Sequence, residues 1–440
     1  MSSPMLASDS ASAMVSTLAS SASSTGYQPF LYSEQSSIAP PQAVQMNGMI
    51  PISGTDPATG RSIFTINKTG FLTDCTLAYR VTISDHAGPA ANNYVANAAL
   101  HCIREVVLST QSRPLCTLQR ETLLSLFSSA GGDGAKGAYV QAVRLGAAGV
   151  VAAAADDTVY DIYINLPLFF RHLSRAILTT FTQQIQIEVN WASFKSANTV
   201  FEWGTDVTIT NPTLYTTQKS LMQQETERVT NELYDSGLLT TLIRTYETEN
   251  VVQYDIGAGV GTDSLAIPFN VPIRSASCVT RCWIMAMVTP ETPWTNGTPT
   301  QCAAARGKAL PLSGSLVFTS NGMEHVSAPS DILRYYGHKS QEAFNGGFSG
   351  SQHAEATGAA SGLDYCYMFD FGSGSEDTTK LSNYLSLREL QNASWSGTVA
   401  PSTALQSQAT SKISIYVVWE RLELMVCTSS NGRLGISLGN

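Results

Sequence analysis

At 440 residues the chain is too long for one ordinary core, and two domains of about 200 residues each are the expectation. Hydrophobic residues make up 43%, ample for packed cores, but charged residues only 13%, about half the usual share of roughly 25%. The net charge of −9, with no block of five basic residues, excludes a protein that neutralises phosphates with its own body, so no direct nucleic-acid partner is expected.

Ser, Thr, Asn and Gln carry the polarity that charge does not. Such a surface suits either contact with other subunits or a Ser/Thr-rich secreted β-protein, and composition leaves both open. The eight cysteines (75, 102, 116, 278, 282, 302, 366 and 427) show no metal-type CxxC pair. Cys278 and Cys282, the nearest pair, share a face in a strand at about 13 Å, beyond disulfide reach, which favours buried free thiols over a disulfide framework.

The N-terminal residues 1–45 are Ser/Ala-rich and read as a flexible arm. Met5, Leu6, Met14, Val15 and Leu18 would form a weak apolar stripe in a helix, so the arm is either a docking segment or a disordered tail. It lacks the basic and apolar regions of a signal peptide, and "GAAGVVAAAA" (146–155) is too short to span a bilayer; the chain reads as cytosolic at synthesis.

From residue 61 strand signals dominate. "RSIFTINKT", "FLTDCTLAYRVTIS", "ALHCIREVVLST", "TVYDIYINLPLFF", "TQQIQIEVNWASF" and "DVTITNPTLYTT" are β-branched and aromatic runs separated by Gly, Pro, Asn and Asp clusters. One helix is expected in "TLQRETLLSLFSS" (117–129), with Leu118, Leu123, Leu124 and Phe127 on overlapping turns. The Gly/Ala stretch 130–155 reads as a surface insertion. Residues 218–237 are polar and stop at Gly237, which reads as a linker. Strand signals then restart in "LLTTLIRTYETENVVQYDI", "SLAIPFNVPI", "SCVTRCWIMAMV", "GSLVFTSNGMEHV", "LDYCYMFDF" and "KISIYVVWERLELMVC" (412–427). In this last run Ile413, Ile415, Val417 and Trp419 form a core-like set, while Ser414, Tyr416, Val418 and Glu420 form a mixed one. After Arg421 the apolar set shifts to Leu422, Leu424 and Val426, which predicts a bulge or bend and two consecutive strands.

The expected fold is all-β: two tandem eight-stranded antiparallel jelly rolls (β-sandwiches) with long loops and a few short helices. The expected division is an arm at 1–45, a first jelly roll at 46–217, a linker at 218–237 and a second jelly roll at 238–440.

Signals for catalysis are weak. The six histidines (86, 101, 172, 325, 338 and 353) form no HxH or HxxxH pair, so no metal is expected. "GAGVG" (257–261) lacks the helix and GK[ST] of a phosphate loop, and no GxSxG elbow is present. "GSGSEDTT" (372–379), beside Asp364 and Asp370, reads as either a solvated loop or a Ca²⁺ loop, with the solvated loop favoured. Asn67, Asn296 and Asn392 sit in N-x-[ST] acceptors, a weak glycosylation signal in so Ser/Thr-rich a chain. No catalytic residue, cofactor or enzyme activity is expected.

Five segments in order carry a resemblance. "VYDIYINLPLFFRHLSRAILTTFTQQIQIEVNW" (159–191), with Pro167, Phe169 and Phe170, resembles a segment of the double jelly-roll major capsid proteins of large nucleocytoplasmic DNA viruses and their smaller relatives. It departs where "RHLSRAI" replaces an acidic, Gly-containing loop. "SLAIPFNVPIRSASCVTRCWIMAM" (264–287) is similar through Pro272 and Trp283, at longer spacing. "GSLVFTSNGMEHVSAPSDILRYYGHKS" (314–340) is similar through the turn Asn321-Gly322. "YMFDFGSGSEDTTKLSNYLSLRELQNASW" (367–395) and the closing run, through Tyr416 and Trp419, complete the series.

The resemblance implies a major capsid protein, a structural subunit that trimerises into pseudo-hexagonal capsomers tiling an icosahedral virion shell. It implies a homotrimer whose partners are neighbouring capsomers, penton and minor capsid proteins, with peripheral contact between the N-terminal arm and an internal membrane. Loops at 86–98, 130–157, 289–312 and 341–362 would rise as towers or lock neighbours. The alternative is a tandem jelly-roll carbohydrate-binding protein or glycosidase-like module, which would need an exposed aromatic platform with paired carboxylates.

Overall fold

The computed structural model describes residues 44–68, 70–86, 98–110, 113–129, 140–142, 158–170, 177–179, 184–192, 204–221, 238–249, 251–255, 266–288, 309–330, 332, 366–371, 384–399, 412–430 and 433–439. In the first half the strands are β1 (Val44–Ser53), β2 (Arg61–Thr65), β3 (Phe71–His86), β4 (Ile103–Thr110), β5 (Arg113–Gln119), β6 (Val140–Ala142), β7 (Thr158–Asn165), β8 (Ile177–Leu178), β9 (Ile185–Trp191) and β10 (Gly204–Leu221). Among the described residues two α-helices interrupt them, α1 (Ala98–His101) before β4 and α2 (Arg120–Ser129) directly after β5. The strands form two antiparallel sheets, β1-β10-β3-β7-β6 with β8 on β3, and β2-β9-β4-β5.

The second half repeats this plan with β11 (Leu238–Thr248), β12 (Val252–Asp255), β13 (Ile267–Pro272), β14 (Cys278–Val288), β15 (Leu312–Ser320), β16 (Met323–Pro329), β17 (Tyr367–Asp370), β18 (Leu385–Ser386), β19 (Ser394–Val399), β20 (Lys412–Ser430) and β21 (Arg433–Gly439). Its sheets run β11-β20-β14-β17, with β12, β18 and β21 attached, and β13-β19-β15-β16. Numbering the eight main strands of each half in chain order gives sheets 1-8-3-6 and 2-7-4-5 both times, which is jelly-roll connectivity. The expected all-β fold of two jelly rolls is what the chain adopts.

The alternation of the strands explains the layering. In β9 the pattern Ile185, Ile187, Val189 and Trp191 in, Gln186, Glu188 and Asn190 out, gives one buried face. β13 does the same with Ile267, Phe269 and Val271. The first core gathers Phe64, Leu77, Tyr79, Ile162, Phe170 and Ile187 between its two sheets. The second gathers Phe269, Cys282, Ile284, Phe318, Trp395 and Trp419. Phe318 and Phe369 lie tilted on either side of Trp395, at centroid distances of 4.8 and 4.7 Å.

Several sequence expectations change in detail. The helix expected from Thr117 begins at Arg120, because Thr117 and Leu118 are ladder residues of β5 opposite Val107 and Val106. Leu118 is therefore a core strand residue, while Leu123, Leu124 and Phe127 are buried on the helix as expected. Residues 218–221, expected in the linker, continue β10 and pair with β1. The closing run is one continuous strand: β20 pairs with β11 without a break from Val418 to Thr428. The extra residue lies on the partner, at Thr280 of β14, where the register shifts between Val279 and Arg281. That bulge also separates Cys278 from Cys282, since Val279 and Cys282 both face the second core. Cys75, Cys102, Cys116, Cys278, Cys282 and Cys366 are free, and Cys75, Cys102, Cys116 and Cys282 among them are buried. Most of the expected arm, the linker from 222 to 237, the loops at 87–97, 130–139, 143–157, 289–308 and 341–362, and the loop 372–379 lie outside the described residues.

Candidate assembly surfaces

A two-sided sheet in a jelly roll has an inner face in the core and an outer face that needs water or another covering. In the second jelly roll the outer face of the large sheet is covered. Along β20, Ser414, Tyr416, Val418 and Glu420 are as buried as the core set Ile413, Ile415, Val417 and Trp419 that alternates with them. Along β14 the outer residues Arg281, Trp283, Met285 and Met287 are buried too. The covering is the first jelly roll: β5 packs on β11 and β21, and α2 packs on β11 and β20. Leu126 of α2 sits against Trp283, Met368 and Val418, and Met285, Met287 and Tyr416 are continuous with the first core.

Charges lie inside this covered face. Glu420, 3% exposed in its side chain, lies 3.4 Å from Arg244 and 3.6 Å from Arg281, and accepts a 2.6 Å hydrogen bond from Thr280 Oγ1. Arg281 Nε donates to Asp370 Oδ2 at 3.4 Å. The bulge at Thr280 is what sends its hydroxyl and the Arg281 guanidinium to the same carboxylate. A buried acid set between two guanidiniums has a partner on each side, and removing either one would leave an uncompensated buried charge. Nearby, burial pushes the Tyr246 phenol well up, and Cys116 of β5 is raised to about 12 by burial and then by the Glu423 carboxylate. Burial likewise raises Glu423, against the opposing pull of Arg421 at 2.7 Å.

A second buried acid anchors the rim of the core. Glu249 accepts hydrogen bonds from the backbone N–H of Ser275 (2.9 Å) and Arg274 (3.1 Å) and from Trp419 Nε1 (3.1 Å). The tie holds the β13–β14 connection, the end of β11 and the middle of β20 together.

On the corresponding outer face of the first jelly roll the described charged and aromatic residues are open to solvent. Arg80 of β3 stands directly opposite Asp161 of β7, as Arg281 of β14 stands opposite Asp370 of β17. Arg80 Nε donates to Asp161 Oδ1 at 2.8 Å, yet the two side chains are 45% and 42% exposed, against 3% and 9% for Arg281 and Asp370. Tyr163, on the same face, is 40% exposed.

The sequence-predicted positions divide between structural roles. Phe169 and Phe170 are buried in the first core with rings edge-to-face at 5.4 Å, and Pro167 lies beside them, partly buried. Trp419 is in the second core, whereas Trp283 and Tyr416 lie on the covered outer face. Pro272 is exposed at the end of β13. Asn321 and Gly322 take positive φ of 52° and 75° and close the β15–β16 hairpin in two residues, the turn for which Asn-Gly is best suited. Asn321 exchanges hydrogen bonds with Gln391, so Asn392 lies at the same end of the sandwich. Asn67 and Asn392 are exposed, and Asn296 lies outside the described residues. The ion network around Glu420 was not foreseen; its trace in the sequence is a charged residue inside each of two apolar strands, "VTRCW" and "VVWERL".

Nothing catalytic converges among the described residues. They contain no metal-type cluster. A groove of about 540 Å³ runs between residues 53–57 and 209–213, but its Asp56 carboxylate caps the Ala58 N–H at 2.9 Å in a local turn. The described tryptophans, 191, 283, 395 and 419, are buried and offer no platform for a sugar.

No protein-family model matches the chain, and no curated protein matches it in sequence. Solved structures do. A chain of the PBCV-1 virus capsid aligns with a TM-score of 0.60 at 11% identity, over 92% of this chain and 99% of that one. The Faustovirus major capsid protein aligns with a TM-score of 0.53 at 10% identity, over 88% and 91%. A chain of the Sputnik virophage aligns with a TM-score of 0.51 at 13% identity, over 91% and 89%. The chain thus has the double jelly-roll fold of the major capsid proteins of PBCV-1, Sputnik and Faustovirus.

Proposed function

We propose that this chain is a major capsid protein, a structural subunit of a virion shell with no catalytic step. The observation that carries the reading is the alignment of nearly the whole chain with nearly the whole of a PBCV-1 capsid chain, both jelly rolls included. In this reading the jelly rolls at 44–221 and 238–440, joined through 222–237, supply two similar sectors. Three copies then make a pseudo-hexagonal capsomer about a three-fold axis. Neighbouring capsomers, penton and minor capsid proteins are its partners, and the N-terminal arm lies toward an internal membrane. The 13% charged content supports it, because extensive lateral contacts favour apolar and uncharged polar groups. Glycosylation at Asn67, Asn296 or Asn392 is no part of the reading.

The test is the native mass of the purified full chain. A particle of three times 47.0 kDa that forms shells in electron micrographs is the expected result. A monomer that binds oligosaccharides and forms no particle would contradict it.

A further inference from the structure

The two jelly rolls share strand order, and they also share the detail of one hairpin. In the first, Thr110 pairs with Arg113 and Leu108 with Cys116, leaving Leu115 as an extra residue. In the second, Ser320 pairs with Met323 and Phe318 with Val326, leaving His325 as the extra residue. Each hairpin's second strand passes directly into helical backbone, β5 into α2 at Arg120 and β16 at Ser330 and Ile332. The strand-and-helix unit of the first jelly roll lies on the outer face of the second. Among the described residues the equivalent unit of the second jelly roll packs on no such face: β16 is exposed or half-exposed throughout, Met323 is 61% exposed, and Ile332 in the helical residues beyond it is 48% exposed. Among the described residues, therefore, one gripping unit has no face to grip and one outer face has no cover.

We infer that β16 and the helical residues after it are the surface by which one copy grips the next, seated on the outer face around Arg80, Asp161 and Tyr163. The occupant is a second copy of this chain, because the contact repeats between chains the one already made within it, strand for strand. The inference rests on the trimer reading above and names its seam. Arg80 and Asp161 then become as enclosed in the assembly as Arg281 and Asp370 are in the single chain. A head-to-tail contact of this kind propagates until it closes, and closure after three chains sets six jelly rolls in a ring.

The test places photoreactive benzoylphenylalanine at position 327 of the full chain, an exposed position on the side of β16 away from the core, mixed with isotope-labelled chains so that links between copies can be told from links within one. Expected are links between copies to peptides spanning residues 74–82 or 158–165. Tyr163→Glu and, from the other side of the seam, Ile332→Asp are each expected to shift the native mass to one third while keeping the circular dichroism spectrum of the parent. A trimer whose links map elsewhere, and which survives both substitutions, overturns the inference and leaves the trimer standing. A parent chain that runs at 47.0 kDa overturns both.

Discussion

Two cross-strand ion pairs occupy the same place in the two jelly rolls. Arg281–Asp370 is buried under the first jelly roll and tied through Glu420 to Arg244, whereas Arg80–Asp161 is open to solvent. The sheet, the strand order and the residue types are alike, so the difference lies in what covers each face. A charge pair under cover must be complete, since desolvation makes a missing partner expensive. An exposed pair is screened and contributes little to the single chain. The same contrast separates β5 from β16: one is packed against a neighbouring sheet, and the other, among the described residues, is exposed on the side away from its own core. The single chain is thus an asymmetric object made from two similar parts, with one internal seam satisfied and its counterpart left over.

Substitutions can break that comparison in graded steps. The largest effect is expected for Val417→Asp, which sets a lone carboxylate in the second core among Trp419, Ile284 and Val279. It should leave no folded protein by circular dichroism, and a cooperative thermal transition would refute the assignment of that face. Arg281→Met removes a guanidinium shared by two buried carboxylates and should cost about 3–5 kcal/mol in urea unfolding. Glu249→Gln replaces a carboxylate that accepts three N–H donors and should cost about 2 kcal/mol. Gly322→Ala forces a Cβ into a left-handed turn position and should cost about 1 kcal/mol, with the rest of the hairpin unchanged. Smallest of all, Arg80→Met should leave the unfolding midpoint of the single chain where it was, in contrast to its counterpart at Arg281. Equal effects at the two arginines would remove the distinction between covered and open faces.

Thiol chemistry gives a further reading of the covered seam. Burial holds Cys102 and Cys116 up to about 12, so both stay protonated near neutral pH. A thiol reagent at pH 8 should reach neither in the native chain and both after unfolding. Prompt labelling of Cys116 would mean that β5 does not lie under the second jelly roll.

Much of this fold was legible in the residues. Alternating β-branched runs such as "IQIEVNW" and "IPFNVP" mark strands with one wet face, and Asn-Gly marks the β15–β16 hairpin. The closing run was harder. Its second residue set, Ser414, Tyr416, Val418 and Glu420, looks half-polar, yet it is buried because the first jelly roll lies on it. Local periodicity shows which residues share a face, but it says nothing about what a distant part of the chain brings to that face. The shift to Leu422 suggests a bulge in β20 for the same reason, whereas the irregularity belongs to Thr280 on the neighbouring strand. The helix starts three residues later than the pattern predicts, because Thr117 and Leu118 satisfy a strand ladder and a cap pattern equally well. The ion network spans strands far apart in sequence, and only the sheet order brings Arg244, Arg281, Asp370 and Glu420 together.

The most direct test of the account is a side-chain-resolution cryo-EM map of the purified oligomer. The account predicts three copies about a three-fold axis, with Arg80 and Asp161 of each copy enclosed beneath β16 of its neighbour. A map in which the outer face bearing Tyr163 stays open to solvent, or in which the copies meet through other surfaces, would contradict it.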